Sequence, residues 1–191
     1  MAQRPFDLAR TRVTLFEALL RARDMRGGKY PILEDHERKV LSYDDIVRAS
    51  FALGGKLDLL IKRNETAGIM LPTGAGAVVT FFALHAIGRT PALLNFTAGA
   101  MNLKSACEAA NVRKILTSRT FIKLAKLEAL EAELSKFAKL IYLEDVRKSI
   151  DFGDKLIALT KGSFPRVFAA KASPDDTAVI LFTSGSYGAP K

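Results

Sequence analysis

The residues with the clearest chemical pattern are the last nine, Thr-Ser-Gly-Ser-Tyr-Gly-Ala-Pro-Lys at positions 183–191. They follow an apolar run, residues 178–182, whose composition predicts a buried strand. Glycines at 185 and 188 let backbone N–H groups approach an anion closely, and the neighbouring hydroxyls can donate further hydrogen bonds. The lysine at 191 adds positive charge. The pattern therefore predicts a phosphate-binding loop.

This loop differs from two common nucleotide-binding motifs. A Walker loop places its lysine directly after a glycine, whereas Ala189 and Pro190 separate Gly188 from Lys191. Proline also has no N–H to offer a phosphate. No Gly-x-Gly-x-x-Gly turn occurs in the chain. The spacing therefore excludes a P-loop NTPase and a dinucleotide-binding turn.

Short apolar runs alternate with helical patterns along the chain. Strands are predicted at 67–71, 91–95, 114–117, 140–143 and 178–182. Helices are predicted between them, at 77–87, 103–110, 119–138 and 150–159. Upstream, cap patterns at Thr14 and Ser42 open two more helices, with a short hairpin over 31–41 between them. This alternation is typical of an α/β fold, a mostly parallel sheet with helices on both faces.

In parallel sheets of this kind, ligands bind beyond the carboxyl ends of the strands. The loops predicted there are residues 72–74, 95–99, 117–118 and 183–191. In the first three, the glycines and threonines equally fit a purely local role as turn and helix-cap residues. Only the last loop indicates a ligand by its own composition.

The composition is that of an ordinary globular chain. It has 191 residues, 49% of them hydrophobic and 26% charged, which is enough for one domain with a buried core. With Cys107, His36 and His85 as its only cysteine and histidines, the chain excludes internal disulfides and a zinc site of the usual kind. It has no apolar run of about 18 residues and no apolar core of a signal peptide, so neither a membrane span nor a secretion signal is predicted.

The net charge of +9 is spread along the chain. No block of five like charges and no basic stripe interleaved with aromatic residues occurs, so we expect no nucleic-acid partner. A solvated basic surface is the simplest interpretation. An acidic protein partner or an anionic membrane surface is the alternative, since diffuse positive charge attracts both.

The terminal loop resembles the phosphate loop of the adenylate-forming superfamily, which includes acyl and aryl synthetases, luciferases and peptide-synthetase adenylation domains. The usual form is Thr-Ser-Gly-Thr-Thr-Gly-x-Pro-Lys after an apolar strand, and Gly185, Gly188, Pro190 and Lys191 match it. Tyr187 departs from the pattern, which usually has threonine there. Three upstream segments also resemble these enzymes, at residues 41–46, 68–72 and 88–95.

A narrower resemblance is to the acyl-acyl carrier protein synthetases, the ligase half of bifunctional bacterial enzymes that reacylate lysophospholipid. Residues 91–99, 115–119 and 142–145 carry it, together with the Ser-Gly-Ser spelling at 184–186. The resemblance implies a bacterial protein that is peripheral to the cytoplasmic side of the inner membrane, or cytoplasmic for the 191-residue fragment. The partners that it implies are a fatty acid, acyl carrier protein, lysophospholipid and the membrane surface.

The resemblance implies an ATP-dependent acid–thiol ligase. A carboxylic acid attacks the α-phosphate of ATP, which gives an acyl-adenylate and pyrophosphate, and the carrier-protein thiol then takes the acyl group. The loop would hold the β- and γ-phosphates. The phosphate-binding residues so implied are Thr183, Ser184, Gly185, Ser186, Gly188 and Lys191. The resemblance places the catalytic residues and the Mg²⁺ ligand beyond residue 191, with no metal ligand in this chain.

We therefore expect residues 1–191 to be the N-terminal part of an AMP-binding (adenylation) domain that ends in its phosphate loop, without the rest of the large domain and the C-terminal lid domain. Alone, this truncated chain is expected to be inactive. Three alternatives stay open. They are a part of a long-chain fatty acyl-CoA synthetase, a non-catalytic scaffold or membrane-docking α/β module, and an independent nucleotide sensor.

Overall fold

The computed structural model describes residues 11–35 and 38–182. Helix α1 (Leu15–Arg26) begins after Thr14, whose hydroxyl accepts a hydrogen bond from the Glu17 N–H. Strands β1 (Pro31–Glu34) and β2 (Val40–Ser42) then form the predicted antiparallel hairpin. Helix α2 (Tyr43–Leu60) opens with a reciprocal capping box between Ser42 and Asp45. Both predicted cap positions are therefore confirmed.

The core of the fold is a five-stranded parallel sheet. Its strands are β3 (Thr66–Ile69), β4 (Thr90–Leu93), β5 (Lys114–Thr117), β6 (Lys139–Tyr142) and β7 (Ile180–Leu181). Their order is β6-β5-β3-β4-β7, and every neighbouring pair is parallel. The α/β class predicted from the alternating pattern is confirmed.

Helices cover both faces of this sheet. The helices after α2 are α3 (Ala75–Ala86), α4 (Ala100–Ala109), α5 (Arg119–Leu124), α6 (Glu128–Leu134), α7 (Leu143–Lys148), α8 (Phe152–Ser163) and α9 (Pro165–Phe168). Leu116 of β5 is buried on the face under α2, α3 and α7, whereas Ile115 is buried on the face under α4, α5 and α6. Successive strand residues point to opposite sides of a sheet, so two adjacent buried apolar residues such as Ile115 and Leu116 mark a strand that is covered on both faces.

The long helix predicted over 119–138 is wrong, because the structure divides it into α5 and α6. Lys126 has a φ of 55°, and the Leu127 N–H bonds to the Ile122 carbonyl at 2.9 Å. A second bond of 3.3 Å joins the Lys126 N–H to the Lys123 carbonyl. This is a Schellman ending, which turns the chain out of the helix. The helical spacing of apolar residues continues across the break, so the break could not be predicted from that spacing.

The buried strand predicted over 178–182 is also corrected. Only Ile180 and Leu181 form β7, and Leu181 is 62% exposed. Strand β7 is the last in the sheet order and pairs with β4 alone among the described residues. An edge position leaves one side of a strand unpaired and its side chains less covered.

Candidate functional site

The predicted phosphate loop, residues 183–191, lies outside the described residues. The same holds for each predicted phosphate-binding residue: Thr183, Ser184, Gly185, Ser186, Gly188 and Lys191. The strand that leads to them is described. Ile180 pairs with Ala92 and Leu181 with Leu93, in parallel register. The chain therefore leaves β7 at the carboxyl edge of the sheet, where this fold class binds ligands.

The neighbouring loop at this edge, residues 95–99, holds its own shape through local hydrogen bonds. The Asn95 side-chain oxygen accepts hydrogen bonds from the Thr97 N–H at 3.0 Å and from the Thr97 hydroxyl at 2.8 Å. Gly99 has a φ of 83°, a conformation that favours glycine, and it precedes α4. These residues have the turn and cap roles that were the alternative to ligand binding.

The loop after β3 is more open. Pro72 and Thr73 are exposed, and Gly74 precedes α3 without any side chain capping the helix. The Thr117 hydroxyl, fully buried at the end of β5, donates a 2.9 Å hydrogen bond to the Met70 carbonyl. This bond links the ends of the two central strands and holds the carboxyl edge together beneath the loops.

Ser118 connects two loops at this edge. Its hydroxyl accepts a hydrogen bond from the Phe121 N–H at 3.1 Å and donates one to Oε1 of Glu144 at 2.7 Å. Burial raises the pKa of Glu144, but hydrogen bonds from Ser118 and from backbone N–H groups outweigh it, so the pKa is lowered overall. The other oxygen, Oε2, is buried and has no hydrogen-bond partner among the described residues. The Glu144 carboxylate is therefore ionised at neutral pH.

A second pair of contacts lies beside the first. Arg119 makes two parallel bonds of 2.7 Å to the Asp145 carboxylate, and its guanidinium carbon lies 3.8 Å from the centre of the Tyr142 ring. The Tyr142 hydroxyl donates a 2.6 Å hydrogen bond to Glu131. Burial and this hydrogen bond raise the pKa of Tyr142 to about 12, so the phenol stays protonated.

Sequence reasoning missed this polar cluster, which we call the β5–β6 cluster. It consists of the side chains of Ser118, Arg119, Glu131, Tyr142, Glu144 and Asp145. Apart from Glu131 of α6, its members come from two stretches, 118–119 and 142–145, that carried the narrower resemblance without being predicted to touch. The signal that could have paired them is their position after adjacent parallel strands.

Two further side chains that often take part in chemistry, His85 and Cys107, are half-buried and buried respectively. Burial lowers the pKa of His85 to about 4, and its ring packs against Phe81 with centroids 4.6 Å apart. Burial, with a contribution from Glu108, raises the pKa of the Cys107 thiol to about 11. Within residues 11–35 and 38–182, no group of three or more His, Cys, Asp or Glu side chains could hold a metal ion.

Comparison with solved structures shows where this architecture recurs. The chain superposes on VinN in complex with 3-methylaspartate with a TM-score of 0.70 at 21% identity, over 94% of this chain and 46% of that one. For O-succinylbenzoate coenzyme A synthetase (MenE) from Bacillus subtilis in complex with AMP, the TM-score is 0.67 at 20% identity, over 91% and 40%. For the N-terminal subdomain of NpsA from Klebsiella oxytoca it is 0.68 at 14% identity, over 95% and 41%.

The chain spans less than half the length of each of these structures. At such identities the likeness concerns the fold: an α/β unit with a parallel sheet, as in these proteins. Comparison with protein families matches residues 20–191 to the family "AMP-binding enzyme". The match includes the whole terminal loop. The chain belongs to the AMP-binding enzyme family, the adenylate-forming enzymes.

Proposed function

We propose that this chain is part of an ATP-dependent fatty acid ligase that forms an acyl-adenylate and passes the acyl group to acyl carrier protein. The reaction would serve lysophospholipid reacylation at the cytoplasmic side of the bacterial inner membrane. One observation carries the proposal: the family match includes the 183–191 loop, and the chain enters that loop from the carboxyl edge of a parallel sheet.

Ligands bound to similar proteins support the first half-reaction. VinN forms complexes with 3-methylaspartate and L-aspartate, and MenE forms a complex with an acyl-adenylate intermediate. Together they support a carboxylic acid as the substrate class and ATP as the activating reagent. A fatty acid is the finer proposal, and it rests on the sequence resemblance.

In this proposal the terminal loop binds the β- and γ-phosphates of ATP. Hydroxyl and backbone N–H groups donate to phosphate oxygens, and the lysine offsets their charge. The residues proposed for this role are Thr183, Ser184, Gly185, Ser186, Gly188 and Lys191. Mg²⁺ would accompany the phosphates, with its protein ligand proposed outside these 191 residues. We likewise propose that residues 1–191 form the N-terminal part of the adenylation domain.

The loop assignment is tested on the enzyme encoded by the longest natural reading frame that includes these 191 residues. Lys191→Ala is expected to lower kcat/KM for ATP at least about tenfold, because a charge-assisted phosphate contact is lost. Lys171→Ala is the control, since Lys171 is an exposed lysine that follows α9 and lies outside the loop. Equal kcat/KM values for the two variants and the unaltered enzyme would contradict the assignment.

Acceptor identity needs a separate measurement. ATP–pyrophosphate exchange with a long-chain fatty acid tests adenylate formation, and competition between holo-acyl carrier protein and coenzyme A then tests the thiol. Preferential transfer to the carrier protein is expected. Transfer to coenzyme A alone would contradict the carrier-protein proposal and favour a long-chain acyl-CoA synthetase. No exchange with any carboxylic acid would favour a non-catalytic module.

The 191-residue chain alone is proposed to bind ATP very weakly and to form no adenylate. Purified chain incubated with ATP, Mg²⁺ and a long-chain fatty acid is expected to release no pyrophosphate. Release of pyrophosphate above the buffer blank, dependent on the fatty acid, would contradict this proposal. Tight ATP binding without turnover would instead favour the nucleotide-sensor alternative.

Basic residues around α5 and β6 are proposed to attract the acidic carrier protein or the inner leaflet of the membrane. Lys123, Lys126 and Lys139 are exposed, whereas Lys136 pairs with Glu133 at 2.6 Å. Charge reversal of the four lysines is expected to weaken carrier-protein binding and its salt dependence. Unchanged affinity and salt dependence would rule these residues out as the docking site.

A further inference from the structure

The outer surface of α8 is unusually apolar for an exposed helix. Phe152 is 81% exposed, Leu156 56% and Ile157 55%, and Leu159 is also exposed. A soluble monomer seldom presents a contiguous apolar surface of this kind without a partner. The opposite side of α8 is already used, because Ala158 and Gly162 are buried against the body of the protein.

Several contacts fix this orientation. Asp151 and Asp154 form a reciprocal capping box at the start of α8, and Asp154 also pairs with Lys56 of α2 at 2.7 Å. At the other end, a Cβ built on Gly162 would lie 2.8 Å from the Arg48 side chain, so the helix approaches α2 closely there. The apolar side chains therefore cannot turn inward without breaking these contacts.

The apolar surface continues into α9. Phe164 is 61% exposed and Val167 75%, while Phe168 is 44% exposed. Arg166 anchors this short helix to α1 through Glu17 at 3.0 Å and Asp24 at 2.8 Å. The α8–α9 face, as we call the exposed apolar side chains from Phe152 to Phe168, is thus presented by two helices that are both fixed to the protein.

Basic side chains border this face on both sides. At helical spacing, Lys155 and Lys161 lie three residues on either side of Ala158, between the buried stripe and the exposed stripe. Neither forms an ion pair with a carboxylate within the described parts of the chain, and Asp154, the only acidic residue of α8, is paired with Lys56. The border of the face is therefore positively charged.

We infer that the α8–α9 face docks in the plane of an anionic lipid bilayer. An amphipathic helix with an apolar outer side and flanking lysines matches the chemistry of the interface: the apolar side chains enter the acyl boundary while the ammonium groups reach lipid phosphates. None of the described helices is long and apolar enough to span a membrane, so this contact is peripheral. The inference rests on the proposed location at the inner membrane, and it assigns the contact to a surface outside the candidate site.

The absence of tryptophan in the sequence allows a direct test with the 191-residue chain. Phe152→Trp places a single fluorophore on the α8–α9 face, and Met101→Trp places one at an 82% exposed position on α4 as the control. Vesicles of equimolar phosphatidylglycerol and phosphatidylcholine are expected to shift the emission of the Phe152→Trp protein to the blue. The Met101→Trp emission is expected to stay unchanged.

Variants then separate the apolar and electrostatic contributions in vesicle co-sedimentation. Leu156→Ser with Ile157→Ser is expected to weaken binding at least about tenfold, since two apolar side chains lose their burial. Lys155→Gln with Lys161→Gln is expected to weaken it about twentyfold. Lys29→Gln with Lys62→Gln, at two exposed lysines outside the α8–α9 face, is the charge-matched control and is expected to have little effect. Pure phosphatidylcholine vesicles are expected to bind more weakly than the mixed ones.

Two results would overturn the inference. One is no sedimentation of the unaltered chain with the mixed vesicles at low salt. The other is binding that falls equally for the lysine pair on α8 and for the control pair, which would indicate diffuse attraction of a basic protein. A dimer that Leu156→Ser dissociates, without vesicle binding, would identify a second copy as the occupant instead. Since no nucleotide or acid is present, failure here leaves the ligase proposal standing.

Discussion

The Ser118 hydroxyl lies 2.7 Å from Oε1 of Glu144, and this one hydrogen bond joins the loop after β5 to the start of α7. The same hydroxyl caps α5 by accepting from the Phe121 N–H. A single serine thus satisfies a helix end and a partly buried carboxylate at once. The two connections that flank β6 are held in one arrangement as a result.

Replacing Ser118 with alanine is expected to lower the free energy of unfolding by about 1–2 kcal/mol, because α5 loses its cap and Glu144 loses a donor. Chemical denaturation measures this. Ser163→Ala is the control, since that exposed hydroxyl bonds only to its own helix. In a double-mutant cycle with Glu144→Gln, full additivity would show that the two side chains are not coupled.

Two adjacent glycines in α2 are expected to respond oppositely to alanine. A Cβ on Gly55 meets nothing within 4 Å, so Gly55→Ala is expected to stabilise the helix by about 0.5–1 kcal/mol. A Cβ on Gly54 would lie 3.1 Å from the Ala83 carbonyl oxygen of α3, and this contact cancels or exceeds the gain. Thermal unfolding compares the variants. A rise in Tm for Gly54→Ala equal to that for Gly55→Ala would show that the α2–α3 packing has room.

His85 is expected to make the fold acid-sensitive. Its pKa is about 4 in the folded protein, against an ordinary value of 6.5, because it is buried. Between these values the unfolded chain binds a proton that the folded protein does not, so stability falls as pH drops from about 6.5 towards 4. His85→Phe is expected to lose several degrees less in Tm between pH 7 and pH 5 than the unaltered chain. Parallel Tm-versus-pH curves would contradict this assignment.

The Schellman ending of α5 predicts a stabilising substitution. Lys126 adopts a φ of 55°, a region that costs ordinary residues energy and suits glycine. Lys126→Gly is therefore expected to raise the free energy of unfolding by roughly 1 kcal/mol. Lys123→Gly, inside α5, is expected to lower it by about the same amount. Denaturation curves for both variants decide this, and a loss of stability in each would contradict the C-terminal cap at Lys126.

Elements of the fold could be predicted from the sequence where local signals, such as helix caps, agree with the tertiary packing. The predicted strand at 114–117 coincides with β5, because Asn111 ends the preceding helix and Ser118 caps the next one, which bounds the strand on both sides. Prediction failed at Lys126, because no glycine or proline marks the turn there. It failed at β7 because the apolar composition of 178–182 does not reveal whether a strand lies inside a sheet or at its edge.

The candidate site shows the same division. Residues 95–99 and 117–118 follow parallel strands, so their position at the carboxyl edge of the sheet could be predicted from the sequence. The hydrogen bond between Ser118 and Glu144 could not be predicted, because the two residues lie 26 positions apart and neither segment has a pattern that indicates contact with the other. Residues 183–191, the strongest motif, lie outside the described residues, so their phosphate role stays a prediction.

The order of the strands has a consequence for synthesis on the ribosome. Strands β3 to β6 lie between Thr66 and Tyr142, so four strands of the sheet can assemble before Ile180 is translated. The edge of β4 that pairs with β7 keeps its backbone hydrogen-bonding groups unpaired until β7 has been translated. Among the described strands, the one that leads into the predicted phosphate loop is translated last, so during that interval the edge of β4 is open to pairing with other strands.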